Sequence, residues 1–293
     1  MITAFLHPGE MGASIAAACT GQRVWASEHR SAATLARAAA AGIDDVGDLG
    51  TLVELADTIV SICPPDAALA QAREVSALGF GGVYVDANAT SPATARLVAS
   101  LFEHAVDGGI VGPPAHQPGT TRLYLSGPRA ADVARRWKGS LLDARVVGDQ
   151  PGAASALKMC YAAWTKGSAA LLLATLTVAT VEGVDADLTS EWDISQPDLP
   201  TRAARAAHGS ASKAWRFAGE MDEIGATFRD AGLPSGFHEA AADVFRRLAG
   251  FKNGPVPSLD HVIDTLRVDL ATGRGNETVD GQTNSSVITP RSP

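Results

Sequence analysis

A chain of 293 residues with 46% apolar side chains can bury a core in each of two domains. Its net charge of −8, with no basic cluster, excludes a protein that grips nucleic-acid phosphates and names no other partner. Cys19, Cys63 and Cys160 are scattered, with no CxxC pair and no His or Cys at zinc-ligand spacing, which excludes a disulfide framework or structural metal and points to a reducing, cytoplasmic setting.

The first residues carry no basic stretch ahead of a short apolar run, so they read as a first strand and not as a signal peptide. From there to about residue 150, apolar runs at 2–6, 23–25, 58–62, 83–86, 105–110 and 121–126 alternate with helical windows near 10–20, 31–41, 50–56, 66–77, 92–103 and 129–139. That rhythm predicts βαβ units on a parallel sheet, an α/β domain of the doubly wound Rossmann type over 1–150. After the break Gly148-Asp-Gln-Pro-Gly152 an uninterrupted helical stretch runs over 153–181 and ends near Gly183. Its most apolar part, 169–181, falls short of the roughly 20 residues that a bilayer span needs, so a buried interdomain helix is expected. Windows 201–231, 237–249 and 258–270 are helical in period, which makes 151–270 an all-α domain. The tail over 271–293 holds too few apolar side chains to bury itself and is expected to be mobile.

Between the first strand and first helix lies Phe5-Leu-His7-Pro8-Gly9-Glu10-Met11-Gly12, where a dinucleotide fold places its glycine turn. Gly9 lets backbone approach a pyrophosphate, Gly12 allows close helix-to-strand packing, and the helix N-terminus offers free amides to an anion. His7 stands where the first glycine of GxGxxG would be. At the end of the second strand, Ser27, Glu28, Arg30 and Ser31 occupy the position that selects the adenosine ribose. Two readings compete there: Glu28 accepting from the ribose hydroxyls of NAD, or Ser27, Arg30 and Ser31 holding the 2′-phosphate of NADP. The guanidinium favours NADP. No GxSxG, GxxxxGK[ST] or HExxH pattern occurs, so hydrolase, nucleotide triphosphatase and metalloprotease chemistry are excluded.

Taken together these segments resemble the β-hydroxyacid dehydrogenase and 6-phosphogluconate dehydrogenase superfamily, which opens with a strand, a turn ending in Met-Gly and a helix. Ser61-Ile-Cys63-Pro64-Pro65 resembles the loop that lies along the cofactor there, and Asp86-Ala-Asn88-Ala-Thr90-Ser-Pro92 resembles its Asp-x-Ser-Thr-x-x-Pro stretch. Asp107-Gly-Gly-Ile-Val111-Gly112-Pro113-Pro114 stands where that family binds substrate. Gly152-Ala-Ala-Ser-Ala-Leu-Lys158 resembles the start of the helix that carries its catalytic lysine. The stretches Arg216-Phe-Ala-Gly-Glu220-Met-Asp-Glu-Ile and Gly232-Leu-Pro-Ser-Gly-Phe-His238 look like a poorly characterised bacterial branch of the same proteins.

The resemblance implies a nicotinamide-dependent oxidoreductase, assembled as a homodimer, with Lys158 as general acid/base for a small hydroxy or oxo compound. Positions three, four, seven and eight beyond Lys158 share its helical face, which adds Tyr161, Ala162, Thr165 and Lys166 to the substrate residues, with His116 and His238 as further candidates. Lys166 sits roughly 12 Å further along the axis, too far to serve the same proton. Two departures stand out: Ala162 replaces the family's asparagine, and Val111 its carboxylate-holding serine. The substrate is therefore expected to differ from a simple β-hydroxyacid. An imine reductase on the same architecture and a non-catalytic NADP-binding protein are the competing readings.

Overall fold

The computed structural model describes residues 1–272, with side chains described as far as residue 267. The expected tail lies outside them, apart from its first two residues, which end the last helix.

The strands are β1 (Ile2–Phe5), β2 (Gln22–Trp25), β3 (Asp44–Asp45), β4 (Thr58–Ser61), β5 (Val83–Asp86), β6 (Ala105–Val111), β7 (Thr121–Ser126) and β8 (Leu142–Gly148). They form one eight-stranded sheet in the order β3-β2-β1-β4-β5-β6-β7-β8, parallel except where β7 runs against β6. The chain order reverses between β1 and β4, the topological switch point of a doubly wound sheet. Every residue of β4 and β5 is buried, as expected for central strands covered by helices on both faces. Successive side chains feed opposite layers. Phe5, Trp25, Val60 and Val85 join Ile15 and Trp137 on one face, while Ala4, Val24, Ile59 and Tyr84 join Leu52 and Val75 on the other.

Six helices accompany the sheet: α1 (Glu10–Ala17), α2 (Ala32–Ala40), α3 (Leu49–Leu55), α4 (Pro65–Ala77), α5 (Pro92–Ala99) and α6 (Ala130–Ala134). Ser31, Asp48 and Ser91 cap α2, α3 and α5 through their side chains, and Pro65 and Pro92 occupy first-turn positions that need no amide donor. The 30-residue α7 (Ala153–Glu182) follows, and Gly183 ends it in the left-handed conformation at φ 73°. Beyond it come α8 (Asp185–Ser195), α9 (Leu199–Ser210), α10 (Ala214–Asp230), α11 (Gly236–Arg247) and α12 (Leu259–Thr272).

By length and composition α7 passes for a membrane span, with a mean hydropathy of 1.2 over its most apolar window. In the fold it instead runs down the middle of the helical region, against β6, α9, α10, α11 and α12. Met159, Ala162 and Leu173 meet Met221, Ile224, Phe245 and Val262 in the core there.

Three expectations are corrected. The window over 201–231 is two helices joined by a 3-10 turn at Ala211–Lys213, since Gly209 and Ser210 weaken a helix where they stand. The helix α8 was not expected, because only Trp192 among its side chains is buried and no apolar stripe marks it. The strands β3 and β8 were missed as well: β3 is two aspartates, and β8 is an edge strand that buries little beyond Leu142.

Candidate functional site

The turns after β1, β2, β4 and β5 all open at the carboxyl edge of the parallel strands, which brings His7–Gly12, Ser27–Ser31, Cys63–Pro65 and Asn88 to one side of the sheet. At the head of α1 the helix geometry leaves the amides of Glu10, Met11 and Gly12 without intrahelical partners, and Gly9 supplies no side-chain cap. The two glycines differ in kind. A Cβ on Gly12 would stand 2.3 Å from the His7 carbonyl oxygen, so packing alone demands glycine there. A Cβ on Gly9 would meet nothing within 4 Å and would project into open space above the uncapped amides. His7 Nδ1 is buried without a partner, and burial, assisted by the Arg30 charge, lowers the imidazole pKa to about 4. The turn thus presents a neutral ring and free amides, a fit for the pyrophosphate of a dinucleotide.

Neighbouring loops are pinned by buried polar contacts. Asn88 Oδ1 accepts from the Cys63 amide at 2.6 Å, and its Nδ2 donates to Ser61 Oγ at 3.2 Å and also to Asp86. Asp86 is wholly enclosed and pairs in register with Asp107 on β6. Burial first, and the Asp107 charge second, push its carboxyl up to about 7. At the ribose position Ser31 is occupied as the cap of α2, Ser27 is tied through its amide to Asp45 at 3.2 Å, and Glu28 lies 3.2 Å from His29. Arg30 is exposed and makes no salt bridge among the described residues.

Lys158 is positioned from the sheet. Asp107 accepts from the amides of Gly152 and Ser155 at 2.9 and 3.0 Å and from the Ser155 and Ser126 hydroxyls at 2.6 and 2.9 Å. A carboxylate therefore caps the positive end of α7, whose own N-cap residue has no side chain. One turn on, Lys158 Nζ donates to the Ile110 carbonyl at 2.7 Å. Burial lowers its pKa; Glu220 opposes that shift and Arg216 adds to it. β6 is three strands from β1, about 14 Å across the sheet. The two ends of the site are joined, because the Ala115 amide in the loop beyond β6 donates to Ser14 Oγ on α1 at 3.0 Å.

The remaining substrate candidates scatter. Val111 is buried, whereas Gly112, Pro113 and His116 are exposed on the loop beyond β6. Ala162 is core, and Tyr161 and Thr165 lie on the exposed flank of α7. His238 packs against Phe228 with ring centroids 4.1 Å apart, and its Nδ1 has no partner. Lys166 forms a buried ion pair with Glu220 and stands 4.4 Å above the Phe217 ring, so its charge is already matched. Asp107 and Glu220 were not singled out from the sequence, although both lie in stretches that carried the family resemblance.

Residues 179–248 match the model of a domain of unknown function (DUF1932). An uncharacterised 28.5 kDa protein from Methanothermus fervidus is 30% identical over 145 residues, 49% of this chain and 56% of the relative, so the match spans little more than half of that protein. The fold is similar to that of a conserved protein of unknown function described as structurally similar to 3-hydroxyacid dehydrogenases, with 28% identity, a TM-score of 0.65 and coverage of 85% of this chain and 97% of that one. It is also similar to the Mycobacterium tuberculosis 3-hydroxyisobutyrate dehydrogenase solved with L-serine, at 17% identity, TM-score 0.65 and coverage of 91% and 99%. A protein solved in complex with NADP+ shares the fold at 16% identity, TM-score 0.62 and coverage of 90% and 99%.

Proposed function

We propose that this chain, which has the fold of the 3-hydroxyacid dehydrogenase-like superfamily, is an NADP-dependent oxidoreductase acting on a small hydroxy or oxo compound. The observation that carries the reading is the partly buried Lys158 ammonium, held by the Ile110 carbonyl at the same sheet edge as the uncapped turn of α1. When bound, the nicotinamide cofactor supplies or takes up the hydride. The amides of Glu10, Met11 and Gly12 hold its pyrophosphate, and the Arg30 guanidinium offers a charged fork to a 2′-phosphate, which supports NADP over NAD.

In the reducing direction Lys158 gives its proton to the substrate carbonyl oxygen as the carbonyl carbon becomes saturated; in the oxidising direction it takes the hydroxyl proton back. The Ile110 hydrogen bond uses one of the three ammonium donors and leaves two to face the reacting oxygen. Ala162 and Val111 offer no side-chain hydrogen bond to a carboxylate, which supports a substrate other than a simple β-hydroxyacid.

A second copy of the chain is the proposed partner. Trp164, Leu171 and Val178 recur every seven residues along α7 and are 71%, 65% and 59% exposed, a stripe that a like helix covers. The test of the reading as a whole is titration of the full chain with NADPH and NADH by nicotinamide fluorescence, followed by a panel of hydroxyacids, ketoacids and imines. Tight NADPH binding with turnover of a carbonyl compound is expected. Binding without turnover of any of them would leave a dinucleotide-binding protein, and no binding would remove the reading altogether.

A further inference from the structure

Helix α5 opens on Ser91-Pro92-Ala93-Thr94, which is half of a capping box. The Ser91 hydroxyl accepts from the Thr94 amide at 3.2 Å, but the third helical position is Thr94 itself and not the glutamate that would reach back to the Ser91 amide. The carboxylate comes instead from the helical region, 132 residues further along the chain. Glu223 on α10 accepts from the Ser91 amide at 2.6 Å and from the Thr94 hydroxyl at 3.4 Å. A negative charge thus stands at the positive end of α5, where its bond to an amide is stronger than a neutral one.

The residues just before Ser91 carry Asn88, which ties the Cys63 amide and the Ser61 hydroxyl to this loop. The stretch from Ala87 to Thr90 has two fixed ends. One is Asp86, the last residue of β5, and the other is Ser91 in the grip of Glu223. Between them Ala89 packs against the core of the helical region, and the Thr90 hydroxyl is buried without a partner, so it anchors nothing. The place of Asn88, and through it of the Cys63 turn, therefore depends on a contact made by α10.

We propose that Glu223 is a positioning residue for the cofactor site: by completing the cap of α5 from the helical region, its carboxylate holds the Asn88 loop, and with it the Cys63 turn, in the arrangement that receives the dinucleotide. The proposal rests on the oxidoreductase reading for the identity of the ligand. The mechanical link from Glu223 to Cys63 does not depend on any ligand.

The test is amide hydrogen exchange of the full chain, read residue by residue by NMR, with NADPH titration by fluorescence beside it. In Glu223→Ala, exchange at Ser91 and at Cys63 is expected to quicken by about tenfold or more, while Ala4, buried in β1, keeps its native rate. The Kd for NADPH is expected to rise by about tenfold in the same variant. Glu223→Gln keeps an oxygen that accepts from the Ser91 amide and is expected to return both readings towards the native ones. Should Glu223→Ala not fold, Glu223→Asp keeps the charge but shortens the reach, and the same two amides are expected to quicken. Exchange that quickens at Ser91 but not at Cys63, or NADPH binding as tight as in the native chain, overturns the proposal, since Glu223 then caps α5 and does nothing more. If the native chain binds no dinucleotide, the oxidoreductase reading fails while exchange at Cys63 still decides the link.

Discussion

Gly109 and Lys158 touch so closely that no other residue fits at position 109: a Cβ there would stand 2.9 Å from the Lys158 Cβ and 2.7 Å from the Ala154 carbonyl oxygen. The bare backbone of β6 is what lets α7 lie against the sheet and bring the lysine over Ile110. Gly109→Ala is expected to push α7 outward at a cost of about 1–3 kcal/mol. Displacing the amine by an ångström lowers kcat/KM by about 100-fold. Thermal unfolding and steady-state kinetics on the same preparation check both.

Lys158→Met is expected to lower kcat by about 10²–10⁴-fold while NADPH binding, measured by fluorescence, stays within experimental error. The pH dependence follows from the proton's direction. Reduction needs the ammonium, so its rate falls as pH rises through the Lys158 pKa, which burial holds below the ordinary lysine value of 10.5. Oxidation needs the free amine and gains over the same range. Profiles of the two directions that do not mirror each other would contradict the assignment.

Asp86 predicts a loss of stability as pH rises towards neutrality. Its folded-state pKa of about 7 lies above the usual 3.8, so between those values the folded chain holds a proton that the unfolded chain has released. Stability therefore falls as pH rises from about 4 to about 7, by at most about 4 kcal/mol. Asp86→Asn removes that slope. Urea unfolding at pH 5 and pH 8 reads the difference, which should be smaller in the variant than in the native chain.

Replacing Trp164 and Leu171 together by Glu is expected to convert the proposed dimer into single chains, since charges every seven residues along the stripe repel across a two-fold contact. Light scattering on a sizing column gives the mass directly. A native chain that already runs as a monomer would end the dimer proposal.

All six apolar runs became strands; those of β4 and β5 are buried at every residue between helical layers, while that of β7 alternates buried and half-buried residues. The loops between strands and helices were legible for a related reason: glycine, proline and capping residues mark where the sheet edge turns. Lysine 158 stood out as a charge on an apolar helix. What supports it did not, because the contacts are remote in sequence. Asp107 meets Ser155 across 48 residues, and Glu220 meets Lys166 across 54. No periodicity in a single sequence pairs such positions. Nor does one show that Lys166, which stood among the substrate residues on the Lys158 face, is neutralised by Glu220.

Asp107 binds the head of α7 from the sheet, and Ile110 receives the amine from the same strand. The reach of Lys158 is thus fixed before the chain has built anything beyond the first two helical turns after residue 152. Whatever changes in the later helices can reshape the wall facing the amine without moving the amine itself. Descent with altered appetite, one half constant and the other free to drift, is open to a chain assembled this way.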